Sequence, residues 1–324
     1  MIFRNLSKLS FYLSIVFSSA ICLAQNKDNQ NSSNKNTEQF DTSTALFLRV
    51  QPTPEDVLKM FHEAGMSPNE HVMTQEENKL VKEAFEMLPP LHQRVLKEHL
   101  KSISFLDNMP NTALTSKIGS ETPNRLYHIT FRAAILKQNV SEWLTEKERT
   151  CFDNKDKSRS VKIEAGKLNA IVYVLLHEAT HVVDGSLGLL AESDSDKNIG
   201  YKSFAADFTN GIWKDRTTFS FLPTDSLFAK NHFRRDGKIF SLTEACDLYK
   251  GLKMTPFVSL YSSSSRHEDL AEYLTVYHFT KILKQPFTII VLENGKETMS
   301  YSPMSSDLVD KRIRYMSIFY TKNT

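Results

Sequence analysis

Glycine is scarce in this chain, 10 residues in 324, less than half the usual share of roughly 7%. No stretch reads GxGxxG or GxxxxGK[ST], which removes the two common phosphate-cradling loops. So little glycine also speaks against an all-β fold built on many tight turns. A dominant charge is missing too: Lys+Arg 40 faces Asp+Glu 38, a formal net of +2. There is neither the basic excess that a nucleic-acid partner would need nor an acidic solvating tail. No apolar run reaches the roughly 20 residues of a membrane span, so no transmembrane segment is expected. What remains is a soluble chain of class α+β in which helices outnumber strands.

The N-terminus has the grammar of export. Arg4 and Lys8 precede an apolar run from Phe11 to Ile21, followed by Cys22-Leu23-Ala24-Gln25. Residues 1–24 read as a signal peptide cut after Ala24, making the protein exported, either secreted or periplasmic. Lipid attachment at Cys22, giving an outer-surface lipoprotein, is the alternative. Residues 25–50 are largely Asn, Gln, Ser, Lys, Thr and Asp at their start, too polar to bury much surface, and read as a flexible spacer. Of 3 cysteines, Cys151 and Cys246 remain after cleavage. Export permits a disulfide between them, and two free thiols fit equally well.

Behind the spacer, residues 51–324 form the folded domain. Thr53-Pro54-Glu55-Asp56 opens a helix that Gly65 can close, and Thr74-Gln75-Glu76-Glu77 is a capping box ahead of a second. Pro89-Pro90 ends that helix, and Leu91, Val95 and Leu96 begin a third. Residues 125–136 are rich in β-branched and aromatic types and read as a strand. That strand is either an edge on which an extended peptide adds or an interior strand. Val161 to Glu164 reads as a weaker strand. Phe287–Leu292 and Thr298–Tyr301 flank Asn294-Gly295, a strong hairpin signal. A helix is expected from Leu242 to Met254, and a last one carries Val309, Ile313, Met316 and Tyr320 on one face. Tyr201, Phe204 and Trp213 read as core rather than cleft.

One motif carries chemistry. The apolar stretch 168–183 contains His177-Glu178-Ala179-Thr180-His181. At about 100° per residue its two histidines share one helical face, one turn apart. Two neutral imidazoles so placed can hold one Zn²⁺ and leave positions for a third ligand and a water. Glu178 flanks that face as a general base for the water. Asp184 returns to the same face as an acceptor for an imidazole N–H. The metzincin pattern would put Gly at 184 and His at 187, where this chain has Asp184 and Leu187, so that class is out. A later carboxylate is the remaining source of a third ligand. Glu268 and Glu272 lie one turn apart, so that one can ligate while the other holds a histidine, unless the turn is only a solvated face. His267 is expected to be exposed. His62, His71, His92 and His99 lack ligand spacing to one another.

The pattern His177-Glu178-x-x-His181-x-x-Asp184, followed by Glu268-x-x-Ala271-Glu272, resembles the anthrax-lethal-factor-like gluzincin metallopeptidases, a group that includes secreted Pro-Pro endopeptidases. In that group a tyrosine sits seven residues before the glutamate ligand, the position of Tyr261. The resemblance covers roughly Leu168 to Tyr277. It implies a mostly helical zincin-like fold, with the HExxH helix at a cleft between an N-terminal lobe (about 51–188) carrying a small sheet and a helical C-terminal lobe (about 189–324). It further implies one Zn²⁺ per chain on His177, His181 and Glu268. Glu178 would be the general base, Tyr261 would assist the oxyanion, and Glu272 would support a histidine. Thr180 stands where many relatives have Gly, and residues 186–253 must hold extra elements. The expected activity is endopeptidase cleavage of a peptide or protein substrate by a monomer. A catalytically silent surface binding module on the same scaffold and a zinc amidase acting on cell-wall peptide are the alternatives.

Overall fold

The computed structural model describes residues 41–118, 125–153, 155–190, 201–221 and 226–321. The expected signal peptide, Cys22 and the start of the spacer lie outside these residues. Prolines and side-chain caps mark the start of several helices. α1 (Glu55–Glu63) follows Pro54 and is succeeded by a short strand, β1 (Asn69–Glu70). Thr74 and Glu77 close a reciprocal capping box at the start of α2 (Gln75–Glu86), and α3 (Pro90–His99) has proline at its first position. Three strands follow: β2 (Leu100–Asp107), β3 (Ala113–Ile118) and β4 (Leu126–Arg132). Asn139 and Glu142 form a second capping box, on α4 (Val140–Arg149), which leads into β5 (Arg159–Glu164) and the central helix α5 (Ala170–Leu187). α6 (Lys202–Thr209), α7 (Ala245–Lys253) and α8 (Arg266–Tyr277) come next. A hairpin of β6 (Thr288–Glu293) and β7 (Lys296–Tyr301) and one last turn, α9 (Asp307–Asp310), finish the chain.

The first four strands form a mixed sheet in the order β1-β2-β4-β3. β2 and β4 run parallel, and β3 lies antiparallel to β4. Residues 125–136 are therefore not an edge strand: β4 is flanked on both sides, stops at Arg132, and gives way to a 3-10 turn from Ala133 to Lys137. The edges of this sheet, among the described residues, are β3 and the two-residue β1. One face of the sheet, with Ile103, Phe105, Tyr127, Ile129 and Phe131, joins the main core with α5. The other face carries Leu106 and Leu114 against Val57 and Phe61 of α1. That second face also buries a polar group, in which the His128 ring sits between the hydroxyls of Ser102 and Ser104 at 2.8 and 2.9 Å.

Three expectations need correction. Residues 41–50 are not part of a flexible spacer. Leu46 is buried, Val50 bridges Ile103 beside β2, and the buried Arg49 guanidinium donates to the carbonyls of Leu96 and Lys97 at 3.1 Å, satisfying the end of α3. The two-lobe division at 188 does not describe the sheets, because β5 pairs antiparallel with β6 from the far end of the chain to make a second, three-stranded sheet. The C-terminal part is thus not helical throughout. The expected final helix is broken after α9 into a 3-10 stretch, Ile313–Phe319, where Arg312 turns inward to a buried carboxylate. The hairpin turn uses Asn294 (φ 50°) and Gly295 (φ 75°), the left-handed pair that a two-residue connection demands. Cys151 and Cys246 are unbonded, one buried and one half-buried. Phe204 and Trp213 are core residues, and no helix among the described residues is long and apolar enough to cross a membrane.

α5 is apolar around its whole circumference from Ala170 to Leu176, every residue buried, as befits a helix enclosed by other elements. Asn169 caps its start and Gly188, at φ 61°, ends it. Close to that end, a Cβ placed on Gly185 would stand 2.3 Å from the hydroxyl of the buried Tyr127 on β4. Gly185→Ala should therefore destabilise the protein by roughly 1–3 kcal/mol, although Ala in a helix interior is ordinarily favoured by about 1 kcal/mol. Tyr127→Phe, which removes the hydroxyl, should restore most of the loss in a urea titration of the double variant. Equal losses in both backgrounds would show that the contact is not what excludes Ala.

Candidate metal centre

α5 brings its two histidines to one point. The Nε2 atoms of His177 and His181 lie 3.3 Å apart on the side facing α8. Ser265 caps α8 by accepting from the Glu268 N–H, which sets Glu268 in the first helical turn. Its Oε2 comes within 3.0 Å of His177 Nε2 and 3.4 Å of His181 Nε2. These three side chains make the one cluster with metal-ligand spacing among the described residues. Ligands at 2.0–2.1 Å in a tetrahedron stand about 3.3–3.4 Å from one another, so a Zn²⁺ fits these donors with little movement. Two imidazoles and a carboxylate also match the donor chemistry that Zn²⁺ favours.

The charges are arranged as for a cation. Burial favours the neutral form of His177, but hydrogen bonds and charge from Glu268 and Glu272 outweigh it and raise the imidazole to about 10. His181 is raised as well, the pull of Glu268 exceeding the cost of burial. Burial alone would raise the Glu268 carboxyl; the two histidines instead hold it well below the usual carboxylate range. Glu272 is lowered to about 2, with the Lys147 ammonium and His177 overcoming its desolvation.

Glu272 stands behind His177. Its Oε1 lies 3.1 Å from His177 Nδ1, in contact though off the line of a good hydrogen bond. Its Oε2 accepts from Ser259 Oγ at 2.8 Å and from the Tyr173 hydroxyl at 3.1 Å, and Lys147 Nζ approaches Oε1 at 3.7 Å. The Tyr261 ring lies beside His177, the two centroids 5.7 Å apart, and it is wedged between Phe233 (5.2 Å) and Lys147 Nζ (3.6 Å). Glu178 is held from the other direction. The hydroxyl of Thr115 on β3 donates to its Oε2 at 2.6 Å.

Asp184 departs from its expected part. It is bonded to neither metal-facing imidazole; its Oδ2 pairs with His267 Nδ1 at 2.6 Å and its Oδ1 accepts the Leu190 N–H. His267, expected to be exposed, is thereby drawn into the protein. Asp184 thus ties the end of α5 to the start of α8. α8 is tied in turn to the C-terminal segment by the buried pair of Asp269 with Arg312 at 2.6 Å, which also takes a hydrogen bond from Trp213 Nε1 at 2.9 Å. Thr180 has a specific partner as well: it accepts from the buried His92 Nε2 at 3.0 Å while donating to the Leu176 carbonyl. Lys147, Tyr173, Ser259 and Thr115 were not anticipated. All but Ser259 are remote in sequence from the residue they touch, and none stands in a motif.

The chain matches no protein-family model, no curated protein and no solved structure, so the site has to be understood from its own residues.

A cation entering the cluster must displace the proton held between His177 Nε2 and Glu268. Zinc uptake by the dialysed protein should therefore release about one proton at pH 8, with affinity rising about tenfold per pH unit between pH 7 and 9. Without zinc, the raised His177 contributes stability that is fully present below 6.5 and lost as pH rises through about 10. Chelator competition and calorimetry in two buffers of different ionisation enthalpy measure both effects. Affinity independent of pH would mean that the imidazoles are already neutral.

Proposed function

We propose that the protein is an exported zinc-dependent endopeptidase, with His177, His181 and Glu268 holding one Zn²⁺ and Glu178 acting as general base. The observation that carries this reading is the convergence of those three donors within 3.0–3.4 Å, with the adjacent Glu178 tethered by its own donor. The resemblance in the HExxH and Glu268-x-x-Ala271-Glu272 segments supports it from the sequence side. Export itself is inferred from residues 1–24.

Zn²⁺ bound there would supply Lewis-acid polarisation of a carbonyl and would acidify a water. The chain's own residues supply the rest. Glu178 takes a proton from the attacking water and later delivers it to the leaving amine. Tyr261, beside His177, assists the oxyanion as charge develops in the transition state. Glu272, itself held by Ser259, Tyr173 and Lys147, keeps the His177 ring in one orientation. An extended peptide would lie along the unpaired side of β3, which runs past Glu178.

The mature chain from residue 25 should retain one zinc after dialysis and cleave members of a peptide library. Glu178→Gln should keep the zinc and lose at least about a hundredfold in kcat; a variant that still cuts would remove Glu178 as base. Tyr261→Phe should lower kcat by about ten- to a hundredfold with zinc and fold intact, and an unchanged kcat would make Tyr261 structural. A folded protein that takes up no zinc would leave only a scaffold with a fortuitous motif.

A further inference from the structure

We propose that Thr115 is the positioning residue for the Glu178 carboxylate, fixing which oxygen receives the proton; this rests on the metallopeptidase reading. The Thr115 Oγ1 donates to Glu178 Oε2 at 2.6 Å, a length typical of a hydroxyl bonded to an ionised carboxylate. With Oε2 engaged, and no donor reaching Oε1 among the described residues, Oε1 is the oxygen that takes the proton from water.

The donor is well suited to hold a flexible side chain still. A helix glutamate has three soft torsions, whereas threonine is branched at Cβ and stiff about its first torsion. Thr115 sits within a six-residue strand that pairs with β4 from end to end, Thr115 itself opposite Ile129. It shares the α5 side of the sheet with Ala113, whereas Leu114 points to the α1 side. The histidines and Glu178 all stand on α5 but are steadied from different elements. His177 and His181 are steadied by Glu268 and Glu272 of α8, and Glu178 by the sheet.

This division has a consequence for catalysis. The strand that carries the Thr115 hydroxyl is also the one whose free side would receive the peptide. Base carboxylate and peptide would then both touch one strand, β3, while the backbone of the base stays on α5. A shift of about 1 Å in such a placement can cost a hundredfold in rate.

The test uses the zinc-loaded mature chain and three single variants. Thr115→Val, which keeps the shape and removes the hydroxyl, should lower kcat about ten- to a hundredfold with KM changed less than about twofold. Thr115→Ser should return kcat to within about threefold of the parent. Zinc content should be equal in all of them. A Val variant with parental kcat, or a Ser variant no better than Val, overturns the proposal. An activity-independent measurement is the thermal midpoint of Thr115→Val, Glu178→Ala and the pair together. If the hydrogen bond exists, the two shifts fall short of adding in the double variant. Additive shifts overturn the proposal whatever the protein cleaves. Non-additive shifts in a parent that cleaves no peptide overturn the peptidase reading instead, and leave Thr115 and Glu178 as a structural hydrogen bond.

Discussion

A carboxylate taken out of water needs a partner, and Glu268 has two. It is 8% exposed and is shared between two imidazoles one helical turn apart. Both α5 and α8 are committed by that arrangement, since removing either side would leave an uncompensated charge in the core. The packing of α8 against α5 is accordingly reinforced at each level. Asp184 with His267 joins them near the end of α5, Glu272 meets His177 at the centre, and Asp269 with Arg312 anchors the outer side of α8 to the C-terminal segment.

Such a run of buried polar groups is costly for folding, and the surroundings are correspondingly apolar. α5 is enclosed between the sheet face of Ile103, Phe105, Ile129 and Phe131 and the helices α2, α3, α4 and α8. Behind the histidines the polar chain continues through the buried Glu272 to the half-buried Lys147, and beside it Glu148 is pushed up to about 7 by burial, with the Tyr249 hydroxyl hydrogen-bonded to it at 2.7 Å. Lys147 is the compensating charge of this layer. It lies between the Glu272 carboxylate and the rings of Tyr261 and Trp143, where its ammonium gains both an ion pair and cation–π contact.

Much of the architecture was visible in local pattern. The capping box at Thr74, the helix after Pro89-Pro90, the Asn294-Gly295 hairpin and the apolar helix around His177 all follow from short-range rules, and the structure has each of them. The misses share a cause. Residues 41–50 follow a polar stretch but carry the apolar run Ala45-Leu46-Phe47-Leu48, and Arg49 finds the carbonyl end of α3, a partner 47 positions further on. β2 and β3 were not anticipated, and β4 was left open between edge and interior. Which strand is the edge depends on pairing order, which strand propensity does not encode. Asp184 lies on the face expected of it, but a rival partner, His267, arrives from α8 and takes its oxygen.

The sequence by itself determined which residue types share a turn: His177 and His181 on one helical face, Glu178 at its flank, and Glu268 one turn from Glu272. Helical geometry repeats every 3.6 residues, so these relations hold wherever the helix is placed. Only the tertiary structure decided that Glu268 and both imidazoles converge, that Glu272 rather than Asp184 stands behind His177, and that Thr115 holds Glu178. Those contacts join residues 63 to 95 positions apart, and they arise when one carboxylate or hydroxyl outcompetes another for a buried partner. That competition is settled by packing among distant elements, where no local period reaches.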